Sequence, residues 1–180
     1  MTKLAIVLSG GGAKGAFQVG VLDELINRQG VKPAIVVGTS TGAIQALGVA
    51  QNDVTGLLKV WQGIKGNADI YNERSGMLGA VLTGQQAIHD ARPLRALLKS
   101  FARPGQLATS TIDLRIGVVS LQSGEFRTIA KDAETIPYIH DWVYASCAMP
   151  TFFDPLETAD GQQWVDGGVR DVTPLGAALE

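Results

Sequence analysis

Histidine and cysteine are nearly missing from this chain. Its 180 residues hold two histidines, His89 and His140, and one cysteine, Cys147. A lone cysteine excludes an internal disulfide, offers no metal framework and fits a reducing compartment, so the expected location is the cytoplasm. Neither sign of charge dominates: the formal net charge is −2, with no block of lysine or arginine. Nucleic acid is therefore not the expected partner. No apolar run approaches the roughly 20 residues that a transmembrane segment requires, and the run Leu4 to Leu8 is too short for a signal-peptide core. Repeats, linkers and low-complexity tracts are absent too, so residues 1–180 read as one domain.

What is present has the profile of a folded soluble protein, 46% hydrophobic and 18% charged. Residues 3–8 read as a fully buried parallel strand. A glycine-rich loop follows, then a helix over Phe17 to Arg28 that Gly30 and Pro33 end. A second strand, Ala34 to Val37, runs into another helix over 41–50 that is apolar all round. Strand, helix, strand, helix at this spacing predicts parallel neighbours, with both loops on one edge of the sheet. Val54 to Ile64 reads as a helix. The glycine-spaced patch Gly76 to Gly84 reads either as a flap or as a core-packing element. Pro93 to Ala102 is an amphipathic helix whose Arg92, Arg95, Lys99 and Arg103 form a stripe, either a solvated face or a contact for anionic lipid. Hairpins are expected around Gly124 and around Gly161, with a helix from Glu134 to Cys147 between them. Thr173-Pro174 reads as the start of a last helix.

The loop after the second strand carries the sharpest signal. Val36-Val37 stops at Gly38-Thr39-Ser40-Thr41-Gly42, a Gly-x-Ser-x-Gly between strand and helix, the setting that holds a serine exposed as a nucleophile. The glycines allow a turn this tight, and the helix start favours negative charge at Ser40. The alternative is a βα loop without chemistry. The first glycine loop has the G-x-G-x-x-G pattern (Gly10, Gly12, Gly15), but no carboxylate ends the second strand, so the dinucleotide reading fails. A P-loop fails as well, because Gly15 follows Lys14. What remains is a set of backbone amides beside a serine, as acyl transfer requires. Close helix–strand packing would also use these glycines.

A serine nucleophile needs a base. No histidine follows position 140, and His89 and His140 read as surface residues. Asp166, at a strand end before Gly167 and Gly168, is the best candidate if burial raises its pKa. Asp166-Gly167-Gly168 also reads as a plain turn.

Four ordered blocks carry a resemblance: Gly10-Gly11-Gly12-Ala13-Lys14-Gly15, the Ser40 pentapeptide, Ala145-Ser146-Cys147-Ala148-Met149-Pro150 with Phe153, and Asp166-Gly167-Gly168. Together they resemble the patatin-like phospholipase family, serine lipid acyl hydrolases. The resemblance implies a three-layer α/β/α fold with a mainly parallel central sheet. It implies Ser40 as nucleophile, Asp166 as base and the amides of Gly10, Gly11, Gly12, Ala13, Lys14 and Gly15 as an oxyanion hole, with no cofactor. The expected substrate is a lipid ester, phospholipid or acylglycerol, with transient contact at a membrane surface. A transacylase and a non-catalytic anion- or nucleotide-binding module are the alternatives. Domains of this kind run on past Asp166-Gly167-Gly168 through a helix and another strand, so a shortened C-terminal end is also expected.

Overall fold

The computed structural model of the protein describes residues 3–74 and 87–180. The patch Gly76 to Gly84 lies outside the described residues. Three parallel strands form the centre: β1 (Ala5–Leu8), β2 (Ile35–Thr39) and β5 (Asp113–Ser120), with Leu8 opposite Gly38 and Gly38 opposite Ile116. Two two-residue strands, β3 (Asn72–Glu73) and β4 (His89–Asp90), make a separate antiparallel ribbon. The hairpin partner of β5 is β6 (Phe126–Ala130), and β7 (Leu156–Glu157) pairs with β8 (Gln163–Asp166), both antiparallel.

β8 joins β5 in an informative place. β2 pairs with Asp113 to Gly117, β8 pairs with Val118 to Ser120, and β6 lies along Arg115 to Val119. A strand has two edges, and β6 occupies one of them across both stretches. β2 and β8 must therefore share the other edge. They run in opposite directions and meet end to end, Thr39 opposite Gly117 and Asp166 opposite Val118. The result is a mixed sheet with mainly parallel central strands flanked by helices.

The helices are α1 (Gly15–Leu22, continuing as a π-helical stretch over Asp23–Arg28), α2 (Thr41–Ala50), α3 (Val54–Gly63), α4 (Arg92–Phe101), α5 (Pro104–Thr109), α6 (Ile139–Cys147) and α7 (Gly176–Leu179). From Gly42 to Ala50, α2 is buried throughout, as its all-apolar sequence predicts. Leu22, Leu47, Leu57, Leu98, Leu114 and Val143 form one core cluster between this layer and the sheet. On the opposite face Ala177 and Ala178 of α7 pack with Val37.

Two expectations need correction. Ala5, Ile6 and Val7 are half-buried rather than fully buried, because β1 is an edge strand of the described sheet. The last helix begins at Gly176, with no side-chain cap, so Thr173 does not start it. The basic stripe on α4 is largely absorbed by the protein itself. Arg92 pairs with Asp90 at 2.6 Å, and Arg95 lies 3.5 Å from the Tyr144 ring centre and 3.8 Å from Asp141.

Candidate active site

Ser40 occupies the junction of β2 and α2 with φ 57° and ψ −129°. Positive φ in a residue with a Cβ costs on the order of 1–3 kcal/mol, and such strain persists only where the surroundings enforce it. The enforcement is visible. The Ser40 amide donates to Ser146 Oγ at 2.9 Å, and the buried Ser146 hydroxyl donates to the Gly117 carbonyl at 2.6 Å. Gly42 lets β1 pass underneath, since a Cβ there would sit 2.2 Å from the Leu8 carbonyl oxygen. A Cβ on Gly38 would likewise sit 2.2 Å from the Gly42 carbonyl oxygen.

Asp166 ends β8 and is 1% exposed. Its Oδ1 accepts from the Gly168 amide at 2.7 Å, while Oδ2 is buried with no hydrogen-bond partner among the described residues. Burial holds its pKa above the ordinary carboxylate value, and the Gly168 amide and the Ser40 hydroxyl pull it partly back. The hydroxyl thus lies near enough to be felt, without a hydrogen bond of ordinary geometry to Oδ2. Gly167 permits the approach, because a Cβ there would meet the Gly117 carbonyl oxygen at 2.5 Å. The end-to-end meeting of β2 and β8 is what brings Ser40 and Asp166 together.

The first glycine loop lies against Ser40: a Cβ on Gly10 would be 3.0 Å from Ser40 Cβ. Its six amides are not equivalent. Gly10 donates to Val172 O at 2.9 Å, Lys14 to Gly11 O at 3.2 Å, and Gly15 back into the same turn. Gly11, Gly12 and Ala13 have no acceptor among the described residues, and Gly12 and Ala13 line the same cavity as Ser40. Lys14 is exposed. Gly15 serves packing, since its missing Cβ makes room for Gln45 and Trp61.

That cavity encloses about 600 Å³. Ser40, Thr41 and Asp166 lie in its wall, and Trp61, Ile64, Leu94, Leu97, Phe152 and Phe153 supply much of the rest. Among the described residues, four buried polar side-chain atoms lack a partner, and three of them (Thr41 Oγ1, His89 Nδ1, Asp166 Oδ2) belong to residues lining this cavity. An apolar chamber with a few unsatisfied polar atoms suits an apolar ligand carrying a polar group. Among the described residues no cluster of His, Cys, Asp or Glu could hold a metal ion, and no helix is long and apolar enough to cross a membrane.

Two residues escaped the sequence reading. His89 is not a surface residue: its ring centre lies 4.2 Å from that of Tyr71 and 5.9 Å from that of Phe152, in the cavity wall. It is held there by its amide, which donates to Phe152 O at 3.0 Å, a partner no local pattern reveals. His140 is only partly exposed, with Nε2 3.6 Å from Asp141. Ser146 was visible only as part of a small-residue run, and its bond to Ser40 joins residues 106 apart. Across the β3–β4 ribbon lies a second hollow of about 500 Å³. Arg74 pairs there with Asp154 at 2.8 Å and Arg92 with Asp90 at 2.6 Å.

The chain is similar to several known proteins. A triacylglycerol lipase from Arabidopsis thaliana, SDP1L, is 28% identical over 164 residues, covering 86% of this chain and 20% of that protein. A Schizosaccharomyces pombe triacylglycerol lipase, ptl3, is 26% identical over 198 aligned positions, covering 94% of this chain and 41% of that protein. The crystal structure of VipD from Legionella pneumophila shares the fold, with a TM-score of 0.66 at 18% identity over 94% of this chain and 46% of that one. The chain thus spans less than half the length of each of these relatives. The sequence profile described as patatin-like phospholipase matches residues 6–179, and the chain belongs to that family.

Proposed function

We propose that the domain is a lipid acyl hydrolase that cleaves carboxylic esters through an acyl-Ser40 intermediate. The observation that carries this reading is the buried carboxylate of Asp166, with one oxygen unpartnered, beside a serine held in strained backbone geometry. Asp166 takes the Ser40 proton as Oγ attacks the ester carbonyl, then returns it to the leaving alkoxide. Water repeats the sequence on the acyl-enzyme and releases the fatty acid. Negative charge on the carbonyl oxygen is met by the amides of Gly12 and Ala13, with Gly11 beside them. One such donor lowers the barrier by roughly 3–4 kcal/mol. The positive end of α2 adds to this at Ser40.

Within lipid esters the reading favours acylglycerols. The cavity wall is largely apolar, with Lys65 as the cation among its lining residues, and two relatives carry the name triacylglycerol lipase. Met149 and Phe152 line the cavity yet remain exposed, and Phe17 follows one turn after Ala13 with 77% exposure. These side chains form an apolar rim for transient contact with a lipid surface. The buried thiol Cys147 is consistent with work in the cytoplasm.

The test is intact-mass analysis after treatment with a fluorophosphonate, with circular dichroism to confirm folding. A single adduct on the wild type, lost in Ser40→Ala and slowed in Asp166→Asn, is the expected result. No adduct on folded wild type would sink the hydrolase reading. Product analysis with added glycerol separates hydrolysis from acyl transfer to an alcohol.

A further inference from the structure

The geometry points to the last turn of α6 as the clamp that sets the Ser40–Asp166 relation, with Ser146 as its positioning residue. This rests on reading those two residues as catalytic partners. Two bonds leave the turn in two directions. Ser146 Oγ accepts the Ser40 amide at 2.9 Å, and the Ala148 carbonyl accepts the Asp166 amide at 3.0 Å. Two residues of one rigid segment therefore hold the backbone of both partners. Residues Val143 to Ala148 are all buried, so the segment has little room to shift.

Ser146 reaches a third element. Its hydroxyl hydrogen goes to the Gly117 carbonyl at 2.6 Å, and Gly117 is the residue of β5 opposite Thr39, next to Val118, which lies opposite Asp166. The hydroxyl acts as donor and acceptor at once. It ties the serine turn to the strand on which β2 and β8 meet. Without it the Ser40 amide loses its side-chain partner, and the positive φ loses an enforcing contact. The turn then relaxes away from Asp166, and displacements of about 1 Å at reacting atoms can cost on the order of a hundredfold in rate. Ser146 does not touch the reacting ester, so it acts only through Ser40.

Ser146→Ala tests this in the whole chain by two readouts. The first is kcat on a soluble ester: a fall of roughly 30- to 100-fold is expected, with KM within about twofold, fluorophosphonate labelling slowed in step and the acid limb of the pH profile displaced upward as the Ser40 hydroxyl leaves Asp166. The second is hydrogen exchange at the Ser40 amide, which needs no catalysis. It is expected to speed up by at least about tenfold while amides of Val36 to Gly38 keep their wild-type rates. If Ser146→Ala does not fold, Ser146→Cys, nearly isosteric but a poor acceptor, carries the same expectations. Unchanged exchange at Ser40 in a folded variant overturns the clamp, and so does a change in KM with kcat intact. A wild type that fails to label, combined with faster Ser40 exchange in the variant, would refute the hydrolase reading and leave the positioning role standing.

Discussion

The two halves of the site are built in opposite ways. On the Ser40 side the frame is local: strand, strained turn and helix are contiguous from Ile35 to Ala50, the helix presents its positive end, and Ser146 braces the turn from far along the chain. On the Asp166 side almost nothing is local. The carboxylate gains its character from burial, from the Gly168 amide and from an antiparallel strand docked end-on to β2, beside the negative end of α6. In the proposed mechanism one half owes its reactivity to backbone geometry and the other to its surroundings. The two should therefore respond differently to substitution.

The largest contrast is in rate. Ser40→Ala should abolish turnover, by about 10⁴-fold or more, while Asp166→Asn should cost roughly 10²–10⁴ because it removes only the proton acceptor. Steady-state kinetics on one ester measures both, and an Asp166→Asn variant as active as wild type would break the comparison. In stability the Ser40 side is again the one that loses most. Gly42→Ala forces a methyl against the Leu8 carbonyl, for which a loss of about 1–3 kcal/mol in urea unfolding is expected. An unchanged midpoint would mean that the serine turn is less tightly packed against β1 than the structure shows.

The pH dependence separates the halves further. Asp166 has a folded pKa raised above its unfolded value. For a carboxyl group that sign means the native state binds the proton more tightly. The linked stability is present at low pH and is lost as pH climbs from the unfolded value, about 3.9, through the folded one. Asp166→Asn should thus be more stable than wild type at neutral pH, and the difference should close in acid. The activity of wild type should fall on the acid side at a midpoint above about 3.9, where the base becomes protonated. Coincident stability curves across pH 3–8 would show that Asp166 is better solvated than its burial implies. The smallest effect belongs to Ser40→Gly, inactive but relieved of positive φ, expected to gain up to about 1 kcal/mol. A loss instead would mean the turn carries no strain.

The same asymmetry explains what the sequence discloses. Gly38 to Gly42 announces its turn because the glycines, the β-branched residues before them and the apolar helix after them are adjacent in the chain. The parallel order of β1 and β2 follows from equally local spacing. Asp166 could be nominated only because the histidines were few and badly placed, since nothing near it says that β8 will share an edge of β5 with β2. His89 and Ser146 were missed for the same reason: each is fixed by hydrogen bonds to distant segments, His89 to Phe152 and Ser146 to Ser40 and Gly117. The division of the glycine-loop amides was equally hidden, because the Val172 carbonyl that engages Gly10 lies far along the chain.

The end-on meeting of β2 and β8 also bears on when the protein becomes competent. Contacts of long sequence separation form late, after the loop-closure entropy they require has been met by other interactions. A chain emerging from its N-terminus can complete the serine turn while the hairpin bearing Asp166 is still unmade. Until that hairpin docks, Ser40 has an anion-binding turn but no proton acceptor. Ester cleavage in a refolding experiment should then lag behind the recovery of helical signal, so that reactivity marks the last event of folding.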